Sequence, residues 1–214
     1  MTSGSGPTYL DYLATTPCLP EVVQAMLPWF TERFWNPQSA HAAGNDALDA
    51  IEQARQHVAA MVNAPPRDLF FTSGATESNN WVLKGIASMP TRRGPHIVTS
   101  SIEHFSILHP CKPLERQGFE VTYLPVDRDG LIDPSAVRKA IRRDTALVTL
   151  THASNEIGAI EPAAEIGAIC REAGVPFHLD ASNTAGTIPL DVQAFHADLL
   201  TISPHLYYGP KGVG

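Results

Sequence analysis

The 214-residue sequence has few charged residues, only three cysteines and no cluster of lysine or arginine. Its 15 basic and 22 acidic residues give a net charge of −7. An acidic chain without a basic patch is a poor match for nucleic acid or an anionic membrane, so we expect neither as a partner. No apolar run is long enough to span a bilayer, and the N-terminus lacks the layout of a signal peptide.

The scarcity of cysteine bears on redox chemistry and on metals. Cys18, Cys111 and Cys170 are odd in number and show no Cys-x-x-Cys spacing. This pattern favours reduced thiols over disulfide bonds or a structural zinc site. We therefore expect a cytoplasmic protein without a metal site.

The chain is rich in apolar residues. Apolar residues make up 43% of the sequence and charged residues 17%, which is ample for a sizeable core. We expect residues 1–15 to form a leader and an entry segment, the opening seven residues being floppy, and residues 16–214 to form the main domain.

Strand-like and helix-like patterns alternate from residue 68 onward. Before them, helical spacing predicts a helix starting at Pro20 and another over about residues 46–63. Apolar runs predict strands at residues 69–71, 96–99, 119–124, 146–151, 176–180 and 199–202. Helices are predicted through residues 81–86, over 107–117, from 133 and over 162–173. The alternation indicates βαβ units, hence an α/β fold with a mostly parallel sheet flanked by helices.

Polar side chains follow most of the predicted strands. The set is Thr76, His104, Asn155, Asp180 and His205. Because parallel strands end at the same edge of a sheet, we expect these side chains to converge there, where open α/β sheets hold their ligands. Singly, each has an ordinary interpretation, such as a helix cap for Thr76 or a surface residue for His104.

Two of these segments favour particular ligands. The turn at residues 73–77 lies between a strand and a helix, so its N–H groups and hydroxyls can cradle an anion. Asp180 ends a buried strand, where a carboxylate needs a cation or good hydrogen bonds, and a protonated pyridine nitrogen would be such a cation. His178 faces the same side as Asp180, but no third metal ligand follows at a recognised spacing.

Taken together, the segments resemble the cysteine desulfurases, pyridoxal-phosphate enzymes related to class V aminotransferases. The resemblance runs from about Tyr9 to the last residue. The matching segments lie at residues 9–16, 36–41, 71–79, 103–104, 155–158, 178–181, 203–205 and 209–212. It implies the large domain of a fold-type-I pyridoxal-phosphate enzyme, stopping before its last strand and small domain.

The resemblance also implies roles for individual residues. Ala75 and Thr76 correspond to phosphate contacts, and Ser203 and His205 to further contacts on the phosphate side. The ring contacts are His104, which stacks and moves protons, Asn155 near the ring hydroxyl, and Asp180 against the pyridine nitrogen.

Two positions depart from the family pattern. Leu206 stands where the family has the Schiff-base lysine, a catalytic position that leucine cannot serve. Lys211 resembles the family's second, structural lysine and is a poor substitute beyond a Gly-Pro turn. Asn183 replaces a glutamine that contacts the ring hydroxyl, so the amide is kept but is shorter by one methylene.

The resemblance finally implies a reaction and partners. The family converts L-cysteine to alanine and passes the sulfur to an enzyme cysteine, for iron–sulfur clusters or other sulfur transfer. None of the three cysteines matches that position. We expect non-covalent binding of pyridoxal phosphate, no activity of the chain alone, and a homodimer or pairing with a complementary chain, with L-cysteine and a sulfur-acceptor protein as further partners. A non-catalytic scaffold or regulatory half-subunit, and another class V lyase or transferase, remain alternatives.

Overall fold

Five parallel strands form one sheet in the order β2-β1-β3-β4-β5. The computed structural model describes residues 7–89 and 93–214, so most of the expected leader lies outside the described residues. The strands are β1 (His96–Ser100), β2 (Glu120–Leu124), β3 (Thr145–Thr151), β4 (Phe177–Asp180) and β5 (Leu199–Thr201). The predicted α/β fold with a parallel sheet is confirmed.

Helices connect the first four strands along the chain, turns connect β4 with β5, and helices cover both faces of the sheet. They are α1 (Pro20–Met26), α2 (Pro28–Thr31), α3 (Ala42–Met61), α4 (Ala75–Ser88), α5 (Phe105–Arg116), α6 (Pro134–Ala140) and α7 (Ala163–Ala173). Short 3-10 turns occur at Pro66–Asp68 and Pro204–Leu206. No helix within the two described ranges is long and apolar enough to cross a membrane.

Alternate side chains of each strand are buried on opposite faces of the sheet. In β1, Ile97 packs towards α4 and α5, whereas Val98 packs towards α6 and α7. Leu147 and Val148 divide in the same way in β3. Because both faces of the sheet are covered, β1 and β3 are buried at every position, and their apolar residues follow one another instead of alternating with exposed polar ones.

The strand predicted at residues 69–71 is wrong. No strand forms there, and the rings of Phe70 and Phe71 are 64% and 40% exposed. Arg55 on α3 holds the segment instead: its Nη1 donates to the carbonyl oxygen of Leu69 at 2.5 Å, and its guanidinium lies 5.1 Å from the Phe71 ring centre. An apolar run becomes a strand only where a neighbouring strand accepts its ladder.

Only the end of this segment pairs with another strand-like segment. Thr72 and Gly214 exchange two backbone hydrogen bonds, with N···O distances of 2.8 and 2.9 Å. The following helix begins at Ala75, with Gly74 as its N-cap at φ 152°, a conformation that favours glycine. The interpretation of Thr76 as a cap is therefore wrong, since Thr76 lies inside the first turn.

The cysteines lie apart from one another and are free. Cys111 is buried between the sheet and α5, and Cys170 on the opposite face. Burial raises the pKa of Cys111 to about 11 and that of Cys170 to about 12. A thiol that stays protonated is a poor nucleophile, so these two are structural.

The domain division at residue 15 stays a prediction.

Candidate active site

A cavity of about 690 Å³ opens at the carboxyl edge of the sheet. Its walls come from the loops after β1, β3, β4 and β5 and from the start of α4. The structure brings together all nine residues singled out in the sequence: Ala75, Thr76, His104, Asn155, Asp180, Asn183, Ser203, His205 and Leu206.

One end of the cavity is suited to an anion. Helix α4 starts there at Ala75, and the N–H groups of its first turn have no partners within the helix. Beside it, Ser203 is fully buried, and its hydroxyl has no hydrogen-bond partner among the described residues. Free N–H groups at the positive end of a helix and an unused hydroxyl form a donor set for a phosphate.

Glu77 also lies at this end, on the first turn of α4. Its Oε2 accepts hydrogen bonds from the backbone N–H and the hydroxyl of Ser73, both at 2.6 Å. These bonds lower the pKa of the Glu77 carboxyl. The carboxylate thereby ties the turn to its own helix, which fixes the shape of the loop before Ala75.

The other end of the cavity holds a buried carboxylate. Asp180 ends β4 and is 5% exposed. Its Oδ1 accepts from the N–H and the hydroxyl of Ser182, at 3.0 and 2.5 Å, and its Oδ2 accepts from Nδ2 of Asn79 at 2.7 Å. Among the described residues it has no ion-pair partner. A cationic group of a ligand can therefore complete its environment.

His104 reaches the cavity from the N-cap of α5. Its Nδ1 accepts a hydrogen bond from the backbone N–H of Ser106 at 3.1 Å and lies 2.7 Å from the Ser106 hydroxyl. The capping bond fixes the ring against the helix and leaves Nε2 as the nitrogen available to the cavity.

The two amides lie on separate loops. Nδ2 of Asn155 donates to Oε1 of Glu156 at 2.9 Å, so a ligand must compete with that bond. Asn183 is half-buried on the loop after β4. Whether either amide contacts a ring hydroxyl stays a prediction.

The wall formed by residues 203–211 is held by the N-terminal segment. The Thr16 hydroxyl donates to the carbonyl oxygen of His205 at 2.8 Å and accepts from the N–H of Tyr208 at 2.8 Å. Nδ1 of His205 lies 3.1 Å from the Thr15 hydroxyl. Burial, and then the nearby charge of Lys211, lower the pKa of His205, which favours its neutral form.

The two candidates for covalent attachment differ in their chemistry. Leu206 closes the 3-10 turn and lines the cavity with an alkyl group. Lys211 also lines the cavity, but its Nζ donates to the carbonyl oxygen of Thr16 at 2.6 Å. Among the residues that the structure describes, the one amine that lines the cavity is thus engaged in holding the N-terminal segment.

Sequence reasoning missed the residues that support the site. Asn79, Ser182 and the pair Thr15–Thr16 contact the predicted residues but were given no role of their own. Each lies within or next to a matched segment, and that adjacency was the available signal. Their partners are up to 195 residues away, so the contacts depend on tertiary structure.

A metal site at His178 and Asp180 does not form. Both ring nitrogens of His178 are engaged, with Thr149 at 2.8 Å and Thr201 at 3.0 Å. Burial lowers the pKa of this histidine to about 4. Over residues 7–89 and 93–214, no group of three His, Cys, Asp or Glu side chains is placed to hold a metal ion.

A parallel sheet with an anion cradle and a buried carboxylate at its carboxyl edge is an arrangement in which open α/β domains hold ligands. The model of the class-V aminotransferase family matches residues 8–214, and the chain belongs to that family. Within the family, the resemblance to cysteine desulfurases is confirmed. The chain is 50% identical to the cysteine desulfurase IscS of Dictyoglomus turgidum over 206 residues, and 50% identical to that of Methanosarcina thermophila.

Solved structures agree with this assignment. A structure described as SspA in complex with cysteine superposes with a TM-score of 0.94 at 42% identity, covering 97% of this chain and 60% of the other. The apo cysteine desulfurase from Thermococcus onnurineus NA1 gives 0.88 at 32% identity, covering 95% and 51%. The match to the D. turgidum protein covers 96% of this chain and 52% of the relative, so the chain spans about half the length of the curated relatives it matches.

Proposed function

We propose that this chain is the cofactor-binding part of a cysteine-desulfurase-like protein and that its cavity holds pyridoxal phosphate without a covalent bond. The observation that carries the proposal is the convergence on one cavity of the nine residues to which the strand ends and the family resemblance gave roles. The fit is chemical as well. The unused Ser203 hydroxyl and the α4 N–H groups suit the phosphate, and the unpaired Asp180 carboxylate suits a protonated pyridine nitrogen.

Each wall of the cavity has a distinct task in this proposal. Ala75, Thr76, Ser203 and His205 hold the phosphate, and Asn155 and Asn183 hydrogen-bond the ring hydroxyl. Asp180 keeps the proton on the pyridine nitrogen, and His104 stacks on the ring and holds a proton at its free nitrogen. When bound, the cofactor supplies an electron sink for charge that develops at the α-carbon of an amino acid, by resemblance L-cysteine.

The chain is inactive by itself in this proposal because of Leu206. An alkyl side chain can neither hold the cofactor covalently nor remove a proton from a substrate. Cys111 and Cys170 are buried with raised pKa values, so neither is suited to accept sulfur. Cys18, by resemblance, does not stand at the family's sulfur-accepting position. Desulfuration of L-cysteine, and supply of sulfur to iron–sulfur clusters or another acceptor in the cytoplasm, therefore require groups supplied from elsewhere.

An absorbance titration with pyridoxal phosphate tests the binding proposal. We expect a saturable spectral change that is lost on dialysis and leaves no adduct after borohydride reduction. The Asp180→Ala variant should bind at least tenfold more weakly, because the pyridine nitrogen loses its charged partner. Absence of any saturable change would refute the cofactor site, and a reduced adduct in the unaltered chain would refute the non-covalent mode.

Sulfide release from L-cysteine tests the inactivity. We expect the chain with added cofactor to match the rate of free cofactor alone. Release above that rate, lost in Asp180→Ala, would contradict the role given to Leu206.

A second candidate is a non-catalytic half-subunit that pairs with another chain. The observation that favours it is the exposure of the N-terminal helices, since neither α1 nor α2 has a buried residue. A separate apolar cavity of about 610 Å³ lies beside Phe70, Trp81 and Leu200. Sedimentation of the chain alone and mixed with a full-length cysteine desulfurase distinguishes a homodimer, a mixed complex and a stable monomer, and the last outcome would count against this candidate.

A further inference from the structure

Asn79 is a residue of α4 that contacts the Asp180 carboxylate of the cavity wall. It is fully buried on α4, one turn after the N–H groups of Ala75 and Thr76. Its Nδ2 lies 2.7 Å from Oδ2 of Asp180 and 2.8 Å from the Ser106 hydroxyl. One amide nitrogen thus contacts the carboxylate after β4 and the first turn of α5.

The direction of each hydrogen bond follows from Asp180. An ionised carboxylate only accepts, so the Asn79 amide must present its NH₂ group there. Turning the amide over would place its oxygen against the carboxylate, and that oxygen has no partner among the described residues in its present position. The second N–H of the same group is therefore directed to Ser106, whose hydroxyl oxygen accepts it.

The hydroxyl proton of Ser106 is directed to His104. Having accepted from Asn79, the Ser106 hydroxyl donates its own proton, and Nδ1 of His104 lies 2.7 Å away. The backbone N–H of Ser106 also donates to this nitrogen. Because Nδ1 accepts from both groups, a neutral His104 carries its proton on Nε2.

We propose that Asn79 is a positioning residue that couples the Asp180 carboxylate to His104 through Ser106, and so fixes the ring and the tautomer of that histidine. That this coupling affects a bound cofactor rests on the proposed function. Since α4 presents both the phosphate cradle and Asn79, one helix sets the distance between the phosphate and ring ends of the site.

The variant Asn79→Ala tests the coupling, with Asn80→Ala as its matched control. Asn80 is the next residue of α4, and its amide bonds the Thr76 carbonyl on the outer side of the helix. We expect Asn79→Ala to weaken the binding of pyridoxal phosphate about tenfold and to change its absorption spectrum. Binding of inorganic phosphate should stay unchanged in both variants, because the cradle is intact.

The outcomes separate the two proposals. No binding of pyridoxal phosphate by the unaltered chain refutes the proposed function. Normal binding by the unaltered chain, with the same affinity and spectrum in Asn79→Ala, refutes the positioning role. Equal loss of phosphate and cofactor binding in Asn79→Ala also refutes it, because general damage to the fold would then be the cause.

A measurement without cofactor tests the relay even if Asn79→Ala does not fold. Nitrogen-15 NMR of the imidazole in the unaltered chain should show His104 with its proton on Nε2. In Ser106→Ala, which keeps the contact between Asn79 and Asp180, only the backbone N–H of residue 106 still donates to Nδ1, so we expect a measurable minor population with the proton on Nδ1. A proton on Nδ1 in the unaltered chain, or an unchanged tautomer in Ser106→Ala, would overturn the inference.

Discussion

The carboxyl edge of the sheet and the N-terminal helices are held in opposite ways. At the edge, Asp180 and Ser203 are buried, and the surrounding loops are fixed by hydrogen bonds from α4, α5 and the N-terminal segment. In α1 and α2 no residue is buried, and Phe30 is 68% exposed. The comparison teaches that the site depends on the sheet and the helices packed on it, whereas the N-terminal helices leave apolar surface exposed.

The largest effect is expected from introducing an amine at position 206, at the carboxyl edge of the sheet. Leu206→Lys places an ammonium side chain in the cavity wall, where the resemblance implies the attachment point. We expect cofactor binding to change from reversible to covalent, seen as absorbance that survives dialysis and as an adduct after borohydride reduction. Leu206→Met is the size-matched control and should stay reversible; reversible binding by both variants would contradict the proposed geometry.

The next largest effect concerns stability and compares two phenylalanines. Phe177 is fully buried in β4, and Phe177→Ala should lower the free energy of unfolding by about 3–5 kcal/mol through lost packing and a cavity. Phe30→Ala removes an exposed ring and should change it by less than about 0.5 kcal/mol. Urea denaturation measures both. Similar losses would mean that the N-terminal helices are packed in solution.

A third prediction uses pH to distinguish two buried groups near the edge. Burial raises the pKa of Glu103 from its ordinary 4.5 to about 8, so its contribution to stability is full below pH 4.5 and is lost as pH rises towards 8. Burial lowers the pKa of His178 from 6.5 to about 4, so its contribution is full above pH 6.5 and is lost as pH falls towards 4.

Glu103→Gln isolates the first of these contributions. The amide keeps the size of the carboxyl and can still accept from the Ser100 hydroxyl, which donates to Glu103 at 2.5 Å. We expect the loss of stability between pH 4.5 and 8 to flatten, as measured by thermal unfolding across pH. The exposed Glu172→Gln is the control, and equal pH profiles for the two variants would contradict the assignment.

A smaller effect is expected from the contact between the N-terminal segment and residues 205–208. Thr16→Val removes a hydroxyl that donates to the His205 carbonyl and accepts from the Tyr208 N–H. We expect a loss of about 1 kcal/mol in the free energy of unfolding, with the packing of the side chain conserved. Thr15→Val serves as the comparison, since it removes one contact, to His205. A larger loss from Thr15→Val would contradict the contacts.

Much of the fold could be predicted because apolar runs and alternation are local signals. The runs around Val98, Val148 and Leu179 are strands because both faces are covered, and the polar residues that follow them meet at one edge. The run at Phe70 and Phe71 looks the same in sequence, yet it stays exposed because Arg55 and Thr72 hold it without a full ladder. Which segments pair with each other is decided by the tertiary structure. A single apolar run in the sequence does not contain that information.

The supporting residues of the site were not predictable for a related reason. Asn79 and Ser182 each stand beside a recognised residue, but their roles depend on the direction of a side chain. The helix start at Ala75, after a cap at Gly74, shows the same limit, since Thr76 is an equally good cap by composition. The roles of the nine cavity residues stay predictions until a ligand is measured.

The contact between Thr16 and His205 has a consequence for the order of folding. The two residues are 189 positions apart, so forming their hydrogen bond closes a loop of nearly the whole chain. Closing so long a loop costs conformational entropy, so we expect this contact to form after the sheet. During synthesis on the ribosome, the wall of the cavity cannot be fixed until residue 205 has emerged. A nascent chain shorter than this therefore lacks this part of the candidate site.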